Sequence, residues 1–224
     1  MRLRRNWQGE AALGDMPGVL CINPASGYPD WAGIFGRKTA IHMEIGSGKG
    51  DFILGAARAY PNINFLGIEK SFTVMYAAAK KNQVRPLPNL RFLPVDAGRL
   101  DSFFCPGQVD RIYLNFSDPW PKNRHEPRRL TAKGKISLYR RLLKPGGQIH
   151  FKTDQGWFFD YSLRSFVREG WSVGKITRNL YRSGFAENIA TEYEKRFLQR
   201  GQPIYRFVAW RPGAGCGHGA QADL

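Results

Sequence analysis

Five carboxylates recur at equivalent places in this chain. Glu44, Glu69, Asp96, Asp118 and Asp154 each stand at or near the carboxyl end of an apolar run that reads as a strand. One acid in such a place can cap a helix. Five in series predict a shared pocket, because ligands of parallel sheets bind where the strands end. The fourth acid opens an unusual segment, "DPWPKNRHEPRRL", in which prolines flank Trp120. Lys122, Arg124, His125, Arg128 and Arg129 then fall within eight residues. A carboxylate, a rigid aromatic turn and a cluster of cations suit chemistry on a group carried by a polyanion.

A second set of residues points to a cofactor. "EIGSGKG" joins the first strand to its helix, with Gly46, Gly48 and Gly50 in the turn. The spacing is not that of a Walker phosphate loop, and Asp51 stands where a dinucleotide fingerprint needs a small residue. An acid at a helix start repels a pyrophosphate drawn by the helix dipole. The loop therefore suits a nucleoside ligand without phosphate, of which S-adenosyl-L-methionine is the common one. Glu69, 19 residues after Gly50, stands where a carboxylate accepts both ribose hydroxyls. Asp96 can accept from an adenine amino group. Glu44, beneath the loop, can orient it or face the methionine ammonium.

The elements that must position these groups follow from periodicity. Strands are predicted at "TAIHMEIG", "NFLGIE", "NLRFLPVD", "VDRIYLNF" and "QIHFKTD". Helices fall between them at "DFILGAARAY", from the Ser71 cap to about Gln83, and at "TAKGKISLYRRLLK", which Pro145-Gly146-Gly147 stops. A last helix, capped by Asp154, presents Phe159, Leu163, Phe166 and Val167. Alternating strands and helices predict an α/β fold, a doubly wound, mostly parallel sheet of Rossmann-like type. The organisation expected is a basic arm and irregular lead-in over 1–38, one catalytic domain over 39–211 and a disordered tail over 212–224.

Composition narrows the partner. The chain has 224 residues, with 34 Lys and Arg against 18 Asp and Glu, a net charge of +16. Such an excess points to nucleic acid. Ten of those cations and one acid, Glu126, lie between Lys122 and Lys152. No apolar run approaches the ~20 residues that cross a bilayer, so no membrane partner is expected. Cys21, Cys105 and Cys216 are too far apart for a disulfide framework or a metal site, although Cys216 and His218 are neighbours in the tail. A reducing cytoplasm and no metal are the expectation.

With these residues in place, the sequence resembles the tRNA (guanine-N7-)-methyltransferases. The resemblance runs from "FGRKTAIHMEIGSGKGDF" through "GIEKSF", "SDPWPKNRHEPRRL" and "FKTD" to "TEYEKRF" and "GQPIYRF", and "MRLRRNW" is similar to the family's start. It implies a class I methyltransferase that uses S-adenosylmethionine and forms N7-methylguanine in tRNA, at the variable-loop guanine, tRNA position 46. It implies that Glu44, Glu69, Asp96 and Asp118 line the cofactor pocket, with Asp118 the catalytic position. Lys122, Asp154, Thr191, Glu192, Tyr193 and Glu194 would contact substrate. Arg124, His125, Glu126, Pro127, Arg128 and Arg129 would meet tRNA. Ser117 stands where the family usually has proline, and Asn123, Glu126 and Pro127 interrupt a more basic family run.

The chemistry agrees with that resemblance. Guanine N7 is an unprotonated acceptor, so its methylation needs alignment in a dry site and no general base. Asp118 would position cofactor or base and contribute electrostatically. Asp154 and Glu194 can accept from the N1 proton and amino group that guanine alone offers on one edge, although Glu194 can equally pair with Lys195, Arg196 or Arg200. Trp120 either stacks on the base or braces the turn. Three other classes compete: an exocyclic-amine methyltransferase, a non-enzymatic RNA-binding protein and an NAD-dependent oxidoreductase. The second leaves the serial acids without a use, and the third leaves the cations without one.

Overall fold

The computed structural model describes residues 13–185 and 187–211, and of Glu192 the backbone only. The basic start over 1–12 and the tail over 212–224, with Cys216 and His218, lie outside the described residues. The chain divides into two compact units. One runs through Cys105 and includes Ile189–Glu192; the other spans Pro106–Asn188 and resumes at Tyr193.

The first unit carries β1 (Ile41–Ile45), β2 (Asn64–Ile68) and β3 (Leu90–Leu93), parallel and in the order β3-β2-β1. Every residue of β1 and β2 is buried. β2 reads as an apolar run after Asn64, as a strand covered on both faces does, whereas β1 alternates and buries His42 and Glu44 between Ile41, Met43 and Ile45. Helices Asp51–Ala59 and Phe72–Val84 follow β1 and β2. The cap expected of Ser71 differs in kind. Its backbone is extended, but its side chain makes no capping bond, and its amide donates to Glu69 Oε1 at 2.9 Å. The lead-in is more ordered than its sequence promised. Helix Trp31–Phe35 is too short to show periodicity, yet Trp31 stacks on Phe104 at 4.7 Å and its indole donates to the Phe103 carbonyl at 3.1 Å.

The second unit carries β4 (Val109–Asn115), β5 (Leu143–Thr153), β6 (Ser172–Thr177) and β7 (Tyr205–Trp210), in the order β4-β5-β7-β6. β4 and β5 are parallel, whereas β7 runs antiparallel to both neighbours. Helix Lys133–Leu142 ends where β5 begins, and β5 includes Pro145-Gly146-Gly147, expected as a stop. Gly146 sits at φ 74°, a conformation glycine adopts freely. Helix Gly156–Arg168 buries Phe158, Phe159 and Phe166 against Phe151 and Phe207, and Ser162 hydrogen-bonds Thr131 at 2.8 Å. Val167, expected on that face, is 58% exposed, because the stripe that meets the sheet is centred nearer Phe158 and Ser162. Asp154 does not cap this helix. Gln155 holds the cap position, and its side-chain amide donates to Asp154 Oδ2 at 2.5 Å. The fold is α/β, doubly wound and mostly parallel.

Candidate active site

In the first unit the glycine loop is built by backbone conformation. Gly46, Gly48 and Gly50 sit at φ 75°, 57° and 80°, where a Cβ is strained. The Gly46 and Ser47 amides donate to the Ile68 carbonyl at 2.8 and 3.0 Å, which hangs the loop from the end of β2. The Gly48 amide donates to Glu69 Oε2 at 3.2 Å. Glu69 thus spends one acceptor site of each oxygen on the chain. A carboxylate has about four such sites, so two remain for hydroxyls of a ligand. Asp96 Oδ1 accepts from the Gly98 amide at 2.8 Å, opening the short helix Ala97–Ser102. Glu44 is buried within β1, two residues before Gly46. Asp51, at the helix start, pairs with Lys81 at 2.7 Å.

In the second unit Asp118 is exposed, three residues beyond β4. Phe116 and Trp120 bracket it at φ 50° and 46°, left-handed conformations that cost non-glycine residues about 1–3 kcal/mol each. Such a turn persists only where its surroundings over-determine it. Arg129 supplies much of that restraint. It is only 5% exposed, and its Nε donates to the Pro119 carbonyl at 3.0 Å. Its Nη2 donates to the Trp120 carbonyl at 3.1 Å. Trp120 itself is braced: Arg128 lies 5.1 Å over its ring, and His125 meets it edge-on at 5.5 Å.

The predicted tRNA-contacting run therefore splits. Lys122, Arg124, Pro127 and Arg128 are exposed along the short helix Asn123–Arg128 and its approach. Glu126 accepts a hydrogen bond from the Tyr161 hydroxyl. Burial, and then Glu126, raise the Tyr161 pKa, so the phenol keeps its proton. Arg129 turns inward, away from the solvated face where its neighbours stand.

The predicted substrate residues also separate. Asp154 is half-buried at the end of β5, and Tyr193 is 61% exposed. Thr191 is buried. Glu194, in helix Glu192–Gln199, is fully buried. Oε2 accepts from Lys152 Nζ at 2.8 Å, and Oε1 accepts from the Tyr181 hydroxyl at 2.8 Å and from the Asn188 amide. Lys152 Nζ also donates to Asn188 Oδ1 at 3.1 Å. Next to Lys152 in the sheet register lies Arg206, buried against the Phe185 ring at 4.0 Å. Burial, and then the field of Arg111, lower the Arg206 pKa.

Sequence reasoning counted Lys152 only as one of ten cations from Lys122 onward, and Arg206 only as part of "GQPIYRF". A signal was present for Lys152. In β5, Ile149 and Phe151 alternate with His150 and Lys152, which marks a polar face of the sheet.

Comparison with known proteins agrees with this picture. Residues 38–207 match a family model described as "Putative methyltransferase". A tRNA (guanine-N(7)-)-methyltransferase of Streptococcus pyogenes serotype M5 (strain Manfredo) is 43% identical over 209 residues, covering 93% of this chain and 99% of that protein. The same identity and coverage hold for the tRNA (guanine-N(7)-)-methyltransferase of serotype M49 (strain NZ131). Among solved structures, an antibiotic-related methyltransferase superposes with a TM-score of 0.59 at 17% identity, covering 85% of this chain and 94% of that one. A 16S rRNA (adenine(1408)-N(1))-methyltransferase variant from Catenulisporales acidiphilia, solved with cosubstrate SAM, gives 0.59 at 14% identity, covering 89% and 96%. At those identities the structures establish the fold alone. The sequence relation reaches further, because it spans both compact units and nearly the whole of each relative: the chain belongs to the tRNA (guanine-N(7)-)-methyltransferase family.

Proposed function

We propose that this protein methylates N7 of a guanine in tRNA, the variable-loop guanine at position 46, using S-adenosylmethionine. The observation that carries this reading is the 43% identity to a tRNA (guanine-N(7)-)-methyltransferase over 99% of that relative's length. The residues fit the cofactor: Glu69 keeps acceptor sites for ribose hydroxyls, and Asp96 is a further carboxylate able to accept from an adenine amino group. Bound S-adenosylmethionine supplies an electrophilic methyl on a sulfonium. Guanine N7 brings its own lone pair, so no residue of the chain has to remove a proton. The task of the chain is to align, to exclude water and to fix charge. Asp118 fits the third role, as an exposed carboxylate on a restrained turn. A cytoplasmic setting accords with a tRNA substrate.

Incubation with unmodified total tRNA and methyl-labelled cofactor, followed by nucleoside analysis, tests the reading. Label is expected in 7-methylguanosine. Label on an exocyclic amine, or none at all, would overturn it.

Two further results are expected if the second unit holds the tRNA. Replacing Arg124 and Arg128 together by Ala should raise KM for tRNA and leave cofactor affinity unchanged. It should also flatten the plot of log K against log salt by roughly 1–2, since each lost phosphate contact releases fewer counterions. An unchanged slope would put both arginines in solvent. Asp154→Asn should narrow the preference for guanine over inosine at the target, because inosine lacks the amino group. A bidentate contact discriminates by about 1–3 kcal/mol. Kinetics with the two tRNAs decide it, and an undiminished preference would exclude Asp154 from base reading.

A further inference from the structure

We infer that Arg129 is a positioning residue: its buried guanidinium fork holds the Asp118–Pro121 turn, and it is not a tRNA contact. The inference rests on the reading above that Asp118 serves methyl transfer. Three features of the turn create the need. Pro119 and Pro121 bring no amide donors, so the turn is poor in hydrogen bonds of its own. Trp120 lies at φ 46°, where a bulky residue is strained. Asp118 is itself exposed, so packing of its own side chain does little to hold it.

Arg129 answers each of these from one place. Its Nε reaches the Pro119 carbonyl at 3.0 Å and the Trp120 carbonyl at 3.3 Å, while Nη2 reaches the latter at 3.1 Å. The guanidinium is in turn held over the rings of Tyr161, at 4.3 Å, and Trp157, at 5.4 Å. Both rings belong to helix Gly156–Arg168, which is anchored on the sheet by Phe158, Phe159 and Phe166. Glu126 fixes Tyr161 by accepting its hydroxyl. A rigid helix is thereby connected, through one planar cation, to the two carbonyls that follow Asp118. With 5% of its surface exposed and Nε and Nη2 committed to the turn, Arg129 offers little to an RNA phosphate. Lysine could not replace it, since one ammonium has no planar fork.

The test compares Arg129→Lys with Arg164→Lys. If the fork positions Asp118, Arg129→Lys lowers kcat between about tenfold and a hundredfold, the cost of a displacement near 1 Å. KM for tRNA and the salt slope should stay at their wild-type values. Arg164, exposed on the outer face of helix Gly156–Arg168, tolerates the same exchange, and Arg164→Lys should keep kcat. A raised KM with unchanged kcat for Arg129→Lys, or no change in either, overturns the inference. A thermal melt checks that each variant is folded. For the case in which Arg129→Lys is not, wild type itself decides. An arginine-specific dicarbonyl reagent should modify Arg124 and Arg128 in the free protein and spare them under tRNA, with Arg129 unreactive throughout. Arg129 reacting when free and protected by tRNA would mean that it is an RNA contact. Absence of 7-methylguanosine from the wild-type reaction would overturn the functional reading instead, and the two failures are distinct.

Discussion

Asp118→Ala is expected to lower kcat for tRNA methylation by roughly 10²–10³-fold, about 2.7–4 kcal/mol in barrier, with the fold intact. The size follows from the charge that the reaction moves. On the proposed reading a positive centre passes from sulfur to the guanine ring, and a carboxylate at Asp118 beside that path would favour alignment as well as charge. A carboxylate stabilises the sulfonium of the reactant too, so only the part of its interaction that grows towards the transition state accelerates the step. The fold should be spared because Asp118 is exposed, and surface substitutions of this kind typically change stability by less than ~0.5 kcal/mol. The turn is held at the carbonyls of Pro119 and Trp120, which the substitution leaves in place. Single-turnover rates with saturating tRNA and cofactor, together with a thermal melt, measure both halves of the expectation. A loss below tenfold, ~1.4 kcal/mol, would remove Asp118 from the reacting centre.

Glu194→Ala is expected to destabilise the protein by about 3–5 kcal/mol, because it leaves the ammonium of Lys152 buried without its counter-charge. Both partners lie inside the second unit, with side chains 6% and 0% exposed. The pair does not stand alone. Tyr181 and Asn188 complete the shell around the carboxylate, and burial followed by Glu194 itself raises the Tyr181 pKa, so its proton remains in the bond at neutral pH. Glu194 therefore ties helix Glu192–Gln199 and the segment that carries Tyr181 and Asn188 to β5. A carboxylate with three donors already in place has little capacity left for a guanine edge, which leaves Asp154 the better candidate for that role. Urea unfolding of Glu194→Ala, Lys152→Met and the double variant gives the cycle. The double variant should recover much of the loss, since removing both charges leaves neither unpaired. If Glu194→Ala unfolds at the wild-type midpoint yet loses guanine selectivity, the carboxylate reads the base after all.

The sequence by itself determined a good deal of this protein. A fully buried strand such as β2 writes itself as an apolar run and β1 as an apolar alternation, and both are legible as strands from the sequence. The glycine loop was legible because the left-handed conformation at Gly46, Gly48 and Gly50 excludes most other residues. These are local constraints, imposed within a few residues of where they are read. What only the tertiary structure decided was the fate of individual charges. In the sequence Arg124, Arg128 and Arg129 are equivalent, yet Arg129 alone is buried, because helix Gly156–Arg168 brings Trp157 and Tyr161 to it from about 30 residues away. Glu194 sits among Lys195, Arg196 and Arg200 but pairs with Lys152, 42 residues distant. Ser71 holds the cap position expected of it, though without a side-chain bond, whereas Asp154 does not, because Gln155 stands there. Periodicity reports which side of an element faces inward. Which long side chain finds a partner there depends on what the fold carries to it from elsewhere in the chain, and a buried charge is tolerated only where that partner arrives.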